Sequence, residues 1–342
     1  MMLDIASPPI ADSTRAAVDV KDLFVSFVTR ETTTKAVNGV SFQLMPGEVL
    51  CVIGESGSGK SVMMKALMRL LPTGRTKISG DIRVGEHKIL DLTNRQLANV
   101  RGSQISMIFQ EPMTALDPVY TIGDQIVETI VRHQKMSRGQ AMERALELLQ
   151  LVKVPSPERR LKAYPHELSG GLRQRAMIAV ALSCRPGLLL ADEPTTALDA
   201  TVQIQVLILL RKLQREFGMC MIFVTHDIGV AAQIADKVAV MYAGRIVEFG
   251  DASDVLLAPK HPYTMAMLSS TVRGQRRDKE IEAIPGSPPD LRNLAAGCSF
   301  LPRCKYGDSD CLAAMPALAW HDGRSVACFK QDHLSLPTAE AD

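Results

Sequence analysis

The stretch GESGSGKS, Gly54 to Ser61, lies between an apolar run, VLCVI, and a helix-forming run, SVMMKALMRLL. A strand leading through a glycine-rich turn into a helix leaves few choices of fold, because successive backbone N–H groups must point into one concavity at the helix N-terminus. Such a turn cradles phosphate, the helix dipole adds positive charge, and Gly54, Ser56, Gly57, Ser58 and Gly59 form the cradle. Lys60 is placed to reach the outer phosphates of a nucleotide, and the Ser61 hydroxyl to ligate Mg²⁺. A glycine-serine turn followed by a chance Lys-Ser is the plain alternative, and eight fitting positions in the right context weigh against it.

The surrounding text agrees with an α/β protein. VDVKDLFVSFV, AVNGVSFQL and EVLCVIGES are β-branched, partly alternating strand runs. From TIGDQIVETIVRHQ through SRGQAMERALELLQLV the period is helical, with Ala141, Ala145, Leu148 and Leu149 on one face. GLLLAD and MCMIFVTH read as buried strands, and ATVQIQVLILLRKLQREFG between them as an amphipathic helix capped at Gly218. Strand, helix and strand at this spacing imply a parallel crossover. After about Pro259 the text turns rich in proline and glycine, with little helix signal. Residues 1–17 read as a disordered leader with no secretory pattern.

Composition sets limits on partners. The chain has 342 residues, 46% of them hydrophobic, enough for a large core with a smaller companion domain. Its 39 Lys and Arg against 37 Asp and Glu give no basic surplus for nucleic acid or an anionic membrane. No run approaches the roughly 18 apolar residues of a spanning helix.

Two further stretches carry chemistry. LLLADEP, Leu188 to Pro194, is a buried strand ending in two carboxylates, and parallel sheets present ligands at the carboxyl ends of their strands. Asp192 is placed to hold Mg²⁺ through water and Glu193 to orient and polarise an attacking water; a pair capping the next helix is the alternative. In LSGGLRQR, Leu168 to Arg175, Ser169 is at an N-cap position while Gly170 and Gly171 expose amides, making a second anion-binding surface.

The phosphate loop, LSGGLRQR and LLLADEP together resemble the ordered motifs of ATP-binding-cassette (ABC) ATPases, over Val18 to about Pro259. The resemblance implies a core of parallel sheet, antiparallel β subdomain and helical subdomain, spanning residues 18–258 with the helical insert at about 111–181. It implies that Gln110 in MIFQEP contacts Mg²⁺ and the attacking water. Asp199 in TALD matches the D-loop and His226 in VTHD the switch histidine at the γ-phosphate. Phe27 matches the adenine-stacking aromatic, a buried strand Phe being the alternative. It also implies a head-to-tail pair, Ser169 to Gly171 of one copy closing over nucleotide on the other.

HPYTMAML, His261 to Leu268, followed by PGSPPD, resembles the C-terminal region of bacterial dipeptide and oligopeptide importer ATPases. That likeness implies a peripheral ATPase on the cytoplasmic face of the inner membrane, hydrolysing ATP to drive import of peptides or related small solutes. Its implied partners are two permease subunits, an extracytoplasmic solute-binding protein, and a paralogous second ATPase or a second copy. A soluble non-transport ABC ATPase is the alternative, and an added redox or iron-sensing role a further one.

Four of the seven cysteines, Cys298, Cys304, Cys311 and Cys328, fall in the 259–342 extension, separated by five, six and sixteen residues. Four thiolates on a loop-rich module suit a tetrahedral zinc or a [4Fe–4S] cluster. The spacing matches neither usual pattern, free thiols or disulfides are the plain reading, and the importer resemblance favours the cluster. Cys51, Cys184 and Cys220 lie in apolar surroundings and read as core residues.

Overall fold

The computed structural model describes residues 15–196, 198–270 and 284–333. Most of the leader expected at residues 1–17 therefore lies outside the described residues. The elements, in chain order, begin with β1 (Val18–Val28), β2 (Thr33–Leu44), β3 (Val49–Ile53), α1 (Lys60–Leu67) and β4 (Thr76–Val84). There follow β5 (His87–Lys88), α2 (Asn94–Val100), β6 (Ile105–Ile108) and then five helices in a row. These are α3 (Pro112–Ala115), α4 (Ile122–His133), α5 (Arg138–Leu151), α6 (Pro157–Leu161) and α7 (Gly170–Leu182). Next come β7 (Leu188–Asp192), α8 (Ala200–Phe217), β8 (Cys220–Val224), α9 (Ile228–Ile234), β9 (Lys237–Tyr242) and β10 (Arg245–Asp251). The chain closes with α10 (Ala252–Leu257), α11 (Pro262–Ser269), α12 (Ser309–Ala313), β11 (Ala319–His321) and β12 (Arg324–Val326).

These elements fall into two compact units. Among the described residues, the helical unit comprises those of 15–19, Gln43–Glu48 and Arg83–Ile222. In it β6 and β7 pair in parallel, Ile105 opposite Leu188 and Ile108 opposite Ala191, every residue of β6 and β7 being buried. Thr121 and Ser137 start α4 and α5 as N-caps, each accepting from an amide three residues on. The predicted face of α5, Ala141, Ala145, Leu148 and Leu149, is the buried one. Helix α8 ends at Gly218 in the left-handed region, φ 62°, as the C-cap reading required.

The loop unit comprises Val20–Phe42, Val49–Ile82 and Phe223–Asp342. Its centre is β3, buried along its whole length and paired in parallel with β9, Leu50 opposite Lys237 through Ile53 opposite Val240. β9 pairs antiparallel with β10, β10 with β12, and β12 with β11. Parallel pairing at β3 and β9 leaves the strand carboxyl ends on one side, where β3 runs directly into the phosphate loop.

The extension has more structure than its proline and glycine content suggests. HPYTMAML forms α11, with Pro262 at its first turn and His261 as N-cap, the His261 Nδ1 accepting from the Tyr263 amide at 3.0 Å. Beneath it Glu248 is fully buried and accepts from the amides of Lys260 (2.7 Å) and His261 (3.0 Å), with Arg324 at 3.7 Å. Local periodicity could not reveal this, since an eight-residue apolar helix has no polar face to mark its period.

Burial drives the His261 imidazole down to a pKa of about 3, a hydrogen bond to the Ala327 backbone offsetting only part of the effect. The folded state therefore holds His261 neutral while the unfolded chain protonates it near its ordinary value, so its contribution is complete above about pH 6.5 and declines as pH falls toward 3. Between pH 7 and pH 5 the protein is expected to lose about 2 kcal/mol of stability from this group. In His261→Asn, which keeps a capping acceptor and does not titrate, that part of the decline should vanish from the pH profile of the thermal midpoint.

Candidate functional site

Two glycines of the loop are dictated by close approach. Gly54 has φ 152° and Gly59 φ 104°, and a Cβ would run into the Met241 carbonyl oxygen at the first and the Ala36 carbonyl oxygen at the second. Gly59 is also the N-cap of α1, so the turn delivers Lys60 as the first helical residue. The buried Lys60 ammonium donates to the carbonyls of Gly54 and Glu55, both at 2.8 Å, and to Ser58 Oγ at 3.3 Å. Lysine thus closes the loop around the space its own amides face. The Ser58 carbonyl accepts from the Gly244 amide at 2.9 Å, tying the loop to the β9–β10 turn.

His226 belongs to the same unit. The amide before it, Thr225, donates to the Val52 carbonyl of β3 at 3.2 Å, so the histidine leaves β8 beside the strand that feeds the loop. Its neighbour Asp227 caps α9, accepting from the Gly229 and Val230 amides. His226 itself is exposed, and Phe27 is half-buried on β1.

In the helical unit Asp192 is 4% exposed at the last position of β7. The next residue, Glu193, has a backbone φ of 46°. A glutamate in the left-handed region carries strain of about 1–3 kcal/mol, a conformation that recurs where function dictates direction. The Glu193 carboxylate accepts from Gln110 Nε2 at 3.3 Å and from Thr196 Oγ1 at 2.9 Å. Gln110 and Glu193, 83 positions apart, are thereby brought into direct contact. A carboxylate oriented by two donors at a strand end can hold and polarise a water.

The other predicted residues are placed as follows. Ser169 is at the N-cap of α7 as expected, but its side chain makes no capping bond; Ser169 and Gly170 are exposed. Gly171 faces Val202 of α8. Asp199 caps α8, accepting from the Val202 amide at 2.9 Å.

All seven cysteines are free thiols. Cys51, Cys184 and Cys220 are buried core residues as read, burial pushing the Cys220 thiol up to about 11. Cys298, Cys304, Cys311 and Cys328 line one pocket in the extension, with Phe300, Leu301 and Tyr306 among its walls. Burial raises the thiol pKa of Cys298, Cys304 and Cys328, the last to about 11, and the charge of neighbouring thiolates raises each further. Clustered thiols that repel one another as anions are a donor set that a cationic centre would stabilise. Among the described residues, no group of three or more His, Cys, Asp or Glu is drawn close enough to hold a metal ion as it stands. Residues that sequence reasoning missed are Glu55, Tyr263 and Arg303, which meet at the phosphate loop.

The ABC transporter family model matches residues 37–196, and the model for the oligopeptide/dipeptide transporter C-terminal region matches residues 247–311. The oligopeptide transport ATP-binding protein OppD of Salmonella typhimurium is 49% identical over 313 residues, 92% of this chain and 93% of its own. The dipeptide transport ATP-binding protein DppD of Bacillus subtilis is 46% identical over 92% of this chain and 95% of its own. Among solved structures, a dimeric ATP-binding cassette in a post-hydrolysis state with ADP and Pi superposes with a TM-score of 0.62 at 30% identity, covering 69% of this chain and 98% of that one.

The close approach at Gly59 makes a direct test. Gly59→Ala forces the loop away from β2 and is expected to weaken MgATP binding by about 10- to 100-fold, from roughly 1–3 kcal/mol of strain. Equilibrium titration of the purified chain with MgATP measures it.

Proposed function

The chain belongs to the ATP-binding proteins of the ABC transporter family, and on that premise we propose that it is the ATPase subunit that energises import of peptides or related small solutes. The observation that carries the reading is Glu193, turned by its φ of 46° and held by Gln110 and Thr196 at the end of a buried strand. The names of its relatives, transport ATP-binding proteins for oligopeptides and dipeptides, supply the substrate class and do not favour a non-transport role.

Each residue has a role in this reading. The amides of Gly54 to Gly59 and the Lys60 ammonium hold the β- and γ-phosphates, and Phe27 stacks on adenine. Ser61, Gln110 and, through water, Asp192 would hold Mg²⁺, which would supply charge neutralisation on the transferred phosphoryl group. Glu193 orients the attacking water, and His226 contacts the γ-phosphate. Ser169, Gly170 and Gly171 close over nucleotide on a paired ATPase, consistent with the uncommitted Ser169 side chain, and Asp199 lies at the same junction.

Phe109, Met113, Val119 and Tyr120, next to Gln110 in the chain, are exposed, and apolar side chains of this kind suit a partner surface. We assign that surface to the two permease subunits, with an extracytoplasmic solute-binding protein delivering substrate. No helix among the described residues is long and apolar enough to cross a membrane, so attachment through the permease would place the chain peripherally on the inner membrane. Cys298, Cys304, Cys311 and Cys328 are assigned as ligands of a [4Fe–4S] cluster, with zinc as the alternative occupant. Such a cluster would act as a structural clamp on the extension.

Two measurements test this reading. Glu193→Gln keeps size and hydrogen bonding without the charge, so the assembled transporter should retain ATP and lose turnover by about 10²- to 10⁴-fold. Near-normal turnover with every site so altered would remove the assignment. Anaerobically purified complex should be brown and hold about four irons per chain, whereas stoichiometric zinc in colourless protein would exclude the cluster.

A further inference from the structure

Glu55 is the second residue of the phosphate loop, and each of its polar groups is held from outside the nucleotide space or by the loop itself. Its carbonyl accepts from Lys60, and its amide donates to the Tyr263 hydroxyl at 2.8 Å. Its carboxylate is gripped in bidentate fashion by Arg303 of the extension, Nη1 to Oε2 at 2.7 Å and Nη2 to Oε1 at 2.9 Å. Arg303 lies 248 positions away in the chain.

The guanidinium is itself fixed. Its Nε donates to the Pro285 carbonyl at 2.7 Å, and Nη1 also donates to the Tyr242 hydroxyl at 3.3 Å. The side chain is 5% exposed and that of Glu55 27%. Phe300, three residues before Arg303, packs edge-on against Tyr242 and Tyr263, with centroids 5.3 and 5.4 Å away. Pro288, Pro289 and Leu291 share a pocket with Glu55, Ser56, Gly57 and Ser58. The extension therefore braces the outer side of the loop over its first turn.

The electrostatic consequence follows from the loop's ligand. A carboxylate one residue into a loop that binds polyphosphate opposes that anion, unless a cation neutralises it and holds it away. A partly buried bidentate pair with a fixed guanidinium does both. Building on the reading of Gly54 to Ser61 as an ATP site, we propose that Arg303 is a positioning residue of that site: it draws the Glu55 carboxylate away from the phosphates, and through it the C-terminal extension sets ATP affinity.

The test is equilibrium binding of MgATP to the purified full-length chain, by displacement of a fluorescent ATP analogue. Arg303→Met, which keeps the aliphatic stem, should weaken binding by about 5- to 20-fold, the scale of a lost charge-assisted pair. Glu55→Gln removes the opposing charge and should restore most of that loss when combined with Arg303→Met. A purely structural Arg303 would leave the combined variant at least as impaired as Arg303→Met, and that result overturns the proposal, as does unchanged affinity in Arg303→Met. Glu55→Asp leaves the extension intact but is too short for the bidentate grip; it should bind MgATP more weakly than Glu55→Gln, and equal or tighter binding overturns the proposal even if Arg303→Met does not fold. Lys60→Ala in the same assay tests the underlying reading separately: its loss of binding, beside normal binding in Arg303→Met, would sink the Arg303 proposal and leave the ATP site standing.

Discussion

The turn between β3 and α1 has no room for side chains where it passes the carbonyls of Ala36 and Met241, and the loop unit is organised around that fact. Backbone amides can converge on a phosphate only if neighbouring strands come close enough to fix the turn, and close approach excludes a Cβ. The parallel pairing of β3 with β9 puts Met241 where it meets Gly54, and β2 brings Ala36 to Gly59. The Asn38 amide then donates to Gly244, whose own amide donates to Ser58. The loop is thus held by backbone contacts from elements distant in sequence, and Lys60 completes it from within.

Much of this was legible in the chain because it is written locally. The order of strand, glycine-rich turn and helix identifies the loop, the apolar run before Asp192 and Glu193 identifies β7, and Gly218 marks the end of α8. What could not be read depends on residues that meet only after folding. Glu55 looks like a filler position within its motif and Arg303 like one charge in a loop, and no periodicity links them. The contact of Gln110 with Glu193 is of the same kind. Glu193 in the left-handed region was invisible as well, since strain leaves no mark in composition. Asp199 read as part of the D-loop, and its present role as the cap of α8 is one that an aspartate before a helix always offers.

The extension is tied to β10 and α10 by buried polar groups as well as by apolar packing. Glu248, His261 and Arg324 are all buried, between β10, the end of α10 and the start of α11, and each would be costly there alone. Glu248 accepts from two amides at the start of that helix, while the Arg324 guanidinium donates to the carbonyls of Asp254 and Ala258. A knot of this kind forms only when all its parts arrive. It makes the extension cooperative with β10 and α10.

The pairing of β12 on β10, with Glu248 opposite Val326 and Phe249 opposite Ser325, bears on how the protein is made. Without β12, the outer side of β10 is an unpaired sheet edge, the kind of template that invites another chain to add a strand. β11 finishes the sheet with only three residues, Ala319 to His321, too short to serve as such a template itself. At usual synthesis rates β10 emerges on the order of 10 s before the strand that covers it. For that interval the nascent chain carries a bare edge, so the last strands protect the molecule from its neighbours as much as they complete its fold.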